Sequence, residues 1–178
     1  MSPACFIRPA AIPDIPELVR LVNEAYRGET SREGWTTEAD LVEGTLRTDE
    51  QALANLIARP GTVVLTCRES GGGLVGCVYL EQAGKDLYLG MLSVAPRLQG
   101  RGAGRLLLEA AEAHARSLGC QAIVMQVISL RRELLAWYAR RGYQPTGETR
   151  PFPEDDRLGK ARQPLEFPVL RRELAQTR

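Results

Sequence analysis

The sequence predicts an α/β fold, α+β in arrangement, with a mixed central sheet of about six or seven strands flanked by helices. Three observations carry that expectation. Residues 62–94 read as three strands separated by glycine turns, short enough to join antiparallel neighbours. Residues 87–128 read as strand, glycine-rich turn, helix and strand, a spacing that makes a right-handed crossover and sets the two strands parallel. After one more helix, residues 143–149 and 165–170 supply a closing pair of strands.

Taken in order, residues 4–8 form a short strand. Asp14 stands as the cap of a helix over 15–26, with Glu17 completing a capping box and Pro16 tolerated in the first turn. Leu18, Leu21, Val22 and Ala25 share one face of it. A polar link from Arg27 to Trp35 follows, and Thr37 and Thr48 are N-caps for two more short helices, the second with Gln51 in a capping box. Pro60 and Gly61 end the helical part. The meander is Val63 to Cys67, then Leu74 to Gln82, then 86–94, with turns at Gly71–Gly73 and at Gly84 and Lys85. Residues 104–118 alternate apolar Leu107, Leu108, Ala111, Ala115 and Leu118 with charged Arg105, Glu109, Glu112 and Arg116, which is a helix stopped by Gly119. Ala122 to Ile128 is nearly all apolar, as a strand covered on both faces requires. A helix over 130–141 ends at Gly142, and the stretch from Arg150 to Pro164 is a long loop of the kind that carries function or moves.

Composition narrows the function classes. At 178 residues the chain is expected to form a single domain over 1–178, with enough burial for its own core. Lys and Arg number 23 against 22 Asp and Glu, with no long block of either sign, which argues against a nucleic-acid or membrane partner. No run of about 18 apolar residues and no signal pattern is present, so a soluble, cytoplasmic protein is expected. The four cysteines are scattered outside any CxxC spacing and there is one histidine, His114, so no metal site is expected and the thiols read as buried and reduced.

The most informative stretch is Met91 to Leu108. Gly100, Gly102 and Gly104 at alternate positions allow close backbone approach, and the first amides of the helix that follows have no intrahelical partners. With the positive end of the helix dipole and the flanking Arg97, Arg101 and Arg105, the stretch reads as a diphosphate cradle.

Two motifs then resemble the GNAT superfamily of acetyl-CoA-dependent N-acetyltransferases. The cofactor signature (Gln/Arg)-x-x-Gly-x-(Gly/Ala) is met by Arg97, Gly100 and Gly102, preceded by the apolar-x-Val pattern Leu92-Ser93-Val94 ahead of Pro96. The second motif is met by Trp137, Tyr138, Arg140, Gly142 and Tyr143. The resemblance covers almost the whole chain and implies a three-layer fold with the parallel strands splayed at the cofactor site, and an acetyl-CoA-dependent acyltransferase acting by direct attack in a ternary complex. It further implies that the amides of Gln99, Gly100, Arg101, Gly102, Ala103, Gly104 and Arg105 hold the pyrophosphate. The backbone of Leu92, Ser93 and Val94 would pair with the pantetheine, and a free amide near Leu92 would polarise the acetyl carbonyl. Tyr138 matches the tyrosine that protonates the departing thiolate, against the plainer reading of a core aromatic beside Trp137. Many members carry an asparagine seven residues before that tyrosine; here the position is Arg131, which has the length to reach a phosphate.

The attacking amine must lose a proton from a group of pKa about 10.4, so a carboxylate base is sought. Glu81 is the candidate, with Asp86 and Glu38 as alternatives and a solvated strand-end charge as the plain reading. Tyr26, Trp35 and Glu38 mix aromatic faces with acid and read as an amine-binding wall, with residues 151–153 as the opposite wall. A small-molecule primary amine is the leading acceptor and predicts a closed pocket between the N-terminal helices and residues 150–164. A protein N-terminus or lysine predicts an open groove there, and a non-catalytic acyl-CoA sensor is the rival from outside catalysis. Dimers being common in the family, a homodimer is expected.

Overall fold

The computed structural model describes residues 4–153 and 159–175. Seven strands form one mixed sheet: β1 (Cys5–Pro9), β2 (Thr62–Glu69), β3 (Leu74–Ala83), β4 (Asp86–Val94), β5 (Ala122–Gln126), β6 (Gln144–Pro151) and β7 (Glu166–Glu173). Their order across the sheet is β1-β2-β3-β4-β5-β7-β6, antiparallel throughout except for the parallel pair β4–β5. Four helices cover it: α1 (Ile15–Tyr26), α2 (Glu50–Ala58), α3 (Ala103–Ser117) and α4 (Arg132–Ala139). The expected fold class is borne out.

Period-two alternation in the strands decides which helix covers which face. Leu65, Cys67, Val78, Leu80, Leu87 and Leu89 bury against Leu107, Leu108, Ala111 and Ala115 of α3. Val64, Cys77 and Tyr79 face the other way, against Leu18, Leu21 and Val22 of α1 and Leu53 of α2. Each fully buried leucine contributes about 1.5–3 kcal/mol, so both faces must be covered for the sheet to persist. β6 is exposed along its whole length and carries Pro145 and Pro151, which only an edge strand tolerates.

Three local expectations are corrected. Asp14 precedes α1 but its carboxylate does not cap it: it accepts from Arg8, from Arg68 and from the Ala11 amide instead. Charge pairing to two guanidinia outcompetes a capping bond there, and it ties β1, β2 and α1 together. Thr37 heads a single turn, its Oγ accepting from Ala39 N, and no helix follows. The helix expected after Thr48 is capped one residue later, by Asp49, whose carboxylate accepts from the Ala52 amide at 2.7 Å. The link after α1 contains a 3-10 helix, Glu29–Glu33. Of the long loop expected between Arg150 and Pro164, residues 154–158 lie outside the described residues. No helix among the described residues is long and apolar enough to cross a membrane.

Candidate active site

A bulge in β4 creates the site. Tyr79 pairs with Gly90 and Cys77 with Ser93, so two residues of β4, Met91 and Leu92, stand opposite Val78 alone. Met91 takes a left-handed φ of 54°, unusual for a residue with a side chain. The extra residue inverts the alternation: Leu87 and Leu89 face α3, Met91 turns to the α1 side, and Leu92 and Val94 return to the α3 side. Three bonds hold the distortion. Ser93 Oγ donates to the Met91 carbonyl at 3.1 Å, Tyr26 Oη donates to the Leu92 carbonyl at 3.0 Å, and Cys77 Sγ lies 4.0 Å from the Met91 carbonyl.

Beside the bulge the sheet opens. β4 and β5 pair only from Asp86–Ala122 to Tyr88–Val124 and then diverge, leaving Leu89 to Val94 without a strand on that side among the described residues. Two cavities fill the gap, of about 410 Å³ and about 300 Å³. They share Tyr26, Leu92, Arg131, Leu134 and Tyr138.

The first cavity runs along Leu92, Ser93 and Val94 to the start of α3. Gly100 and Gly102 have φ of 75° and 90°, and a Cβ on either would meet nothing within 4 Å: they shape the turn and leave open space in front of it. Gly104 has a different reason, since a Cβ there would touch the Trp137 ring at 3.4 Å. Leu106 N is bonded to the Gly102 carbonyl, and no side chain caps the amides ahead of it. Those donors face a cluster of positive charge. Arg105, Arg140 and Arg141 line the cavity, and neither Arg140 nor Arg141 has an acid partner among the described residues. Arg141 lies 3.8 Å over the Trp137 ring, and burial, then the charges of Arg140 and Arg105, push its pKa down. Arg105 is shared with Glu109 at 3.5 Å, but Arg140 and Arg141, without an acid partner among the described residues and beside an uncapped helix start, fit a polyanion.

The second cavity lies between the residues after α1 and the β6–β7 end of the sheet. Arg27, Glu38 and Arg47 line one wall, Phe152, Pro153 and Phe167 the other, with the rings of Phe152 and Phe167 stacked at 5.6 Å. Glu38 is buried and held by two arginines, Arg27 at 3.3 Å and Arg131 at 3.2 Å. Arg131 also donates to Thr36 Oγ1 at 2.8 Å.

At the junction of the two cavities stands Tyr138, on α4, 4% exposed and edge-on to both Trp137 and Tyr143. Its hydroxyl makes no hydrogen bond to any described residue. Burial, then the neighbouring Tyr26, raises its pKa well above the ordinary phenol value, outweighing the opposite pull of Arg131. The phenol therefore keeps its proton.

Of the residues expected at the cofactor, Leu92, Ser93, Val94, Gln99, Gly100, Gly102, Ala103, Gly104, Arg105 and Arg131 line the first cavity. Gln99 acts as a strut: its side chain donates to the Val94 carbonyl and accepts from Trp35 N. Arg97 turns away to pair with Glu33 on the surface, and Arg101 is exposed beside the turn, so neither side chain lines the cavity. The Arg131 guanidinium is engaged by Glu38 and Thr36 rather than set among the cradle arginines. Trp35 lines the first cavity rather than the second, Tyr26 lines both, and Glu38 lines the second. Glu81 lines neither; its carboxylate is bound by Arg59 at 3.2 Å and Tyr79 Oη at 2.7 Å. Asp86 is likewise engaged elsewhere, by Arg171. The sequence reading missed Arg140, Arg141, Arg27 and Arg47. Arg140 is part of the Trp137–Tyr143 motif, read without a site role, and Arg141 lies inside that motif, which was the available signal; Arg27 and Arg47 carried none.

The sequence pattern of the acetyltransferase (GNAT) family matches residues 16–143, and the chain belongs to that family. It carries an acetyltransferase domain. A mycothiol acetyltransferase from Propionibacterium freudenreichii subsp. shermanii is 34% identical over 86 residues, 45% of this chain and 27% of that protein, so the match spans about a quarter of the relative. In fold, the ribosomal-protein-S18-alanine N-acetyltransferase from Escherichia coli superposes with a TM-score of 0.71 at 14% identity, over 98% of this chain and 97% of that one. PaiA N-acetyltransferase from Thermoplasma acidophilum, solved in complex with coenzyme A, superposes with a TM-score of 0.67 at 17% identity, over 96% and 99%.

Proposed function

We propose that this protein transfers the acetyl group of acetyl-CoA to the amine of a small molecule by direct attack in a ternary complex. The observation that carries the reading is the junction: an anion cradle and a separate cavity meet at a buried phenol that keeps its proton. The α3 amides with Arg105, Arg140 and Arg141 would hold the diphosphate, and the bulged backbone from Leu92 to Val94 would line the pantetheine arm. A neutral amine in the second cavity attacks the acetyl carbon; the C–N bond forms, the C–S bond breaks, and the thiolate takes the proton of Tyr138. The excess proton on nitrogen passes to water and returns to the phenolate. No unpaired carboxylate lines the second cavity among the described residues, so the amine loses its ammonium proton before attack rather than to Glu81. A cavity of about 300 Å³ bounded by Phe152 and Phe167 suits a small acceptor better than a polypeptide.

Titration calorimetry with acetyl-CoA and with NAD tests the donor side. Binding of acetyl-CoA alone is expected; binding of NAD alone would end the reading. Thiol release on adding amines, measured across small-molecule and peptide acceptors, then separates the small-molecule reading from protein acetylation.

A further inference from the structure

The second cavity has a charge pattern that selects among amines. Among its described lining residues, Glu38 is the one carboxylate, against Arg27, Arg47 and Arg131. Arg27 and Arg131 are both bonded to Glu38, which therefore has little left to offer a cationic ligand. The aromatic-and-acid wall expected to attract a cation is thus neutralised from within. Arg47 is left over. It has no acid partner among the described residues, and its guanidinium lies 5.4 Å from the Tyr26 ring centroid, on a ring that Arg131 also approaches at 5.6 Å. Its backbone is fixed, because Asn23 Oδ1 accepts from both Arg47 N at 2.6 Å and Thr48 N at 3.0 Å. A guanidinium over an aromatic ring, rooted on an anchored backbone and with no counter-ion among the described residues, suits a planar or tetrahedral oxyanion.

We propose that the acceptor is an amine that also carries an acid group, a carboxylate or a phosphorus oxyacid, which docks on Arg47 while the amine turns toward Tyr138. The assignment rests on the acetyltransferase reading above and names its substrate class. Bare polyamines meet an excess of positive charge among the described lining residues and are disfavoured by like-charge repulsion.

Matched acceptors decide it. Phenylalanine against phenethylamine, and 2-aminoethylphosphonate against ethylamine, with spermidine as the cationic probe, are titrated into protein saturated with coenzyme A, and their turnover is followed with acetyl-CoA. The acid-bearing member of at least one pair is expected to bind and turn over about tenfold better or more, the gain of one charge-assisted anchor. In Arg47→Gln that preference should collapse through KM for the acceptor, with KM for acetyl-CoA unchanged, and Arg47→Lys should restore part of it. Preference for spermidine or for the bare amines, binding of neither acid-bearing amine, or a preference that survives Arg47→Gln would overturn the assignment. Failure to bind acetyl-CoA at all would instead remove the acetyltransferase reading, so the two failures are distinguishable.

Discussion

Glutamine in place of Glu38 removes one charge from a cluster that has little solvent to fall back on. The side chains of Arg27, Glu38 and Arg131 are 4%, 6% and 6% exposed, and the Glu38 carboxylate bonds both guanidinia at 3.2–3.3 Å. Glutamine keeps the volume and one carbonyl oxygen, but its amide group must face a guanidinium as donor against donor. Breaking a buried pair of this kind costs about 3–5 kcal/mol. The glutamine oxygen still serves one arginine, so the lower end applies. Domains have only about 5–15 kcal/mol of stability in all. For a chain of this size a loss of about 3 kcal/mol lowers the midpoint by roughly 6–12 °C. Thermal denaturation monitored by circular dichroism measures this directly, alongside kcat at a temperature where the variant remains folded. The expected result is a large drop in midpoint with kcat largely retained. An unchanged midpoint with kcat reduced about a hundredfold or more would refute the reasoning and make Glu38 the base.

Tyr138→Phe should lower kcat by about 10²–10⁴-fold with acetyl-CoA affinity nearly intact, read by steady-state kinetics and calorimetry. Because burial raises the Tyr138 pKa, its acid form persists, and kcat in the intact protein should rise with pH as the acceptor amine deprotonates, with no falling limb below about pH 10. A falling limb near neutrality that disappears in Tyr138→Phe would show that the phenol titrates normally. Gly76→Ala sets a Cβ 2.6 Å from the Ser93 carbonyl and 3.0 Å from Leu107 Cδ1, which should cost about 1–3 kcal/mol in urea denaturation. Since Ser93 anchors the bulge, KM for acetyl-CoA should rise too; wild-type stability and KM would show that β3 and β4 are less tightly apposed.

Legibility in the sequence followed the range of the interaction. The strands, α1, α3 and the glycine turn were readable because neighbouring residues set them: alternating apolar positions in β2–β4, a 3.6-residue stripe in α3, positive φ at Gly100 and Gly102. Capping failed at Asp14 because Arg8, from the neighbouring strand, and Arg68, fifty-four residues away, take the carboxylate. Glu81 looked free and is not, since Arg59 arrives from the end of α2 and Tyr79 from its own strand. Arg97 matched a motif yet pairs with Glu33, while Arg140 and Arg141, just past α4 and some forty residues downstream, line the cavity beside the glycine turn.

By itself the sequence determined the family and the mixed sheet, and it carried the motifs that single out the glycine turn and Tyr138 as site candidates, because each is written in local spacing or in a motif whose parts stay together. Tertiary structure alone decided the bulge at Met91, the pairing of Glu38 with two arginines and the place of Arg47 over the Tyr26 ring. A left-handed methionine is adopted only when neighbouring strands and the Ser93 and Tyr26 bonds over-determine it. Whether a charged side chain is free to act depends on which opposite charge the fold brings beside it, and here those partners come from distant parts of the chain.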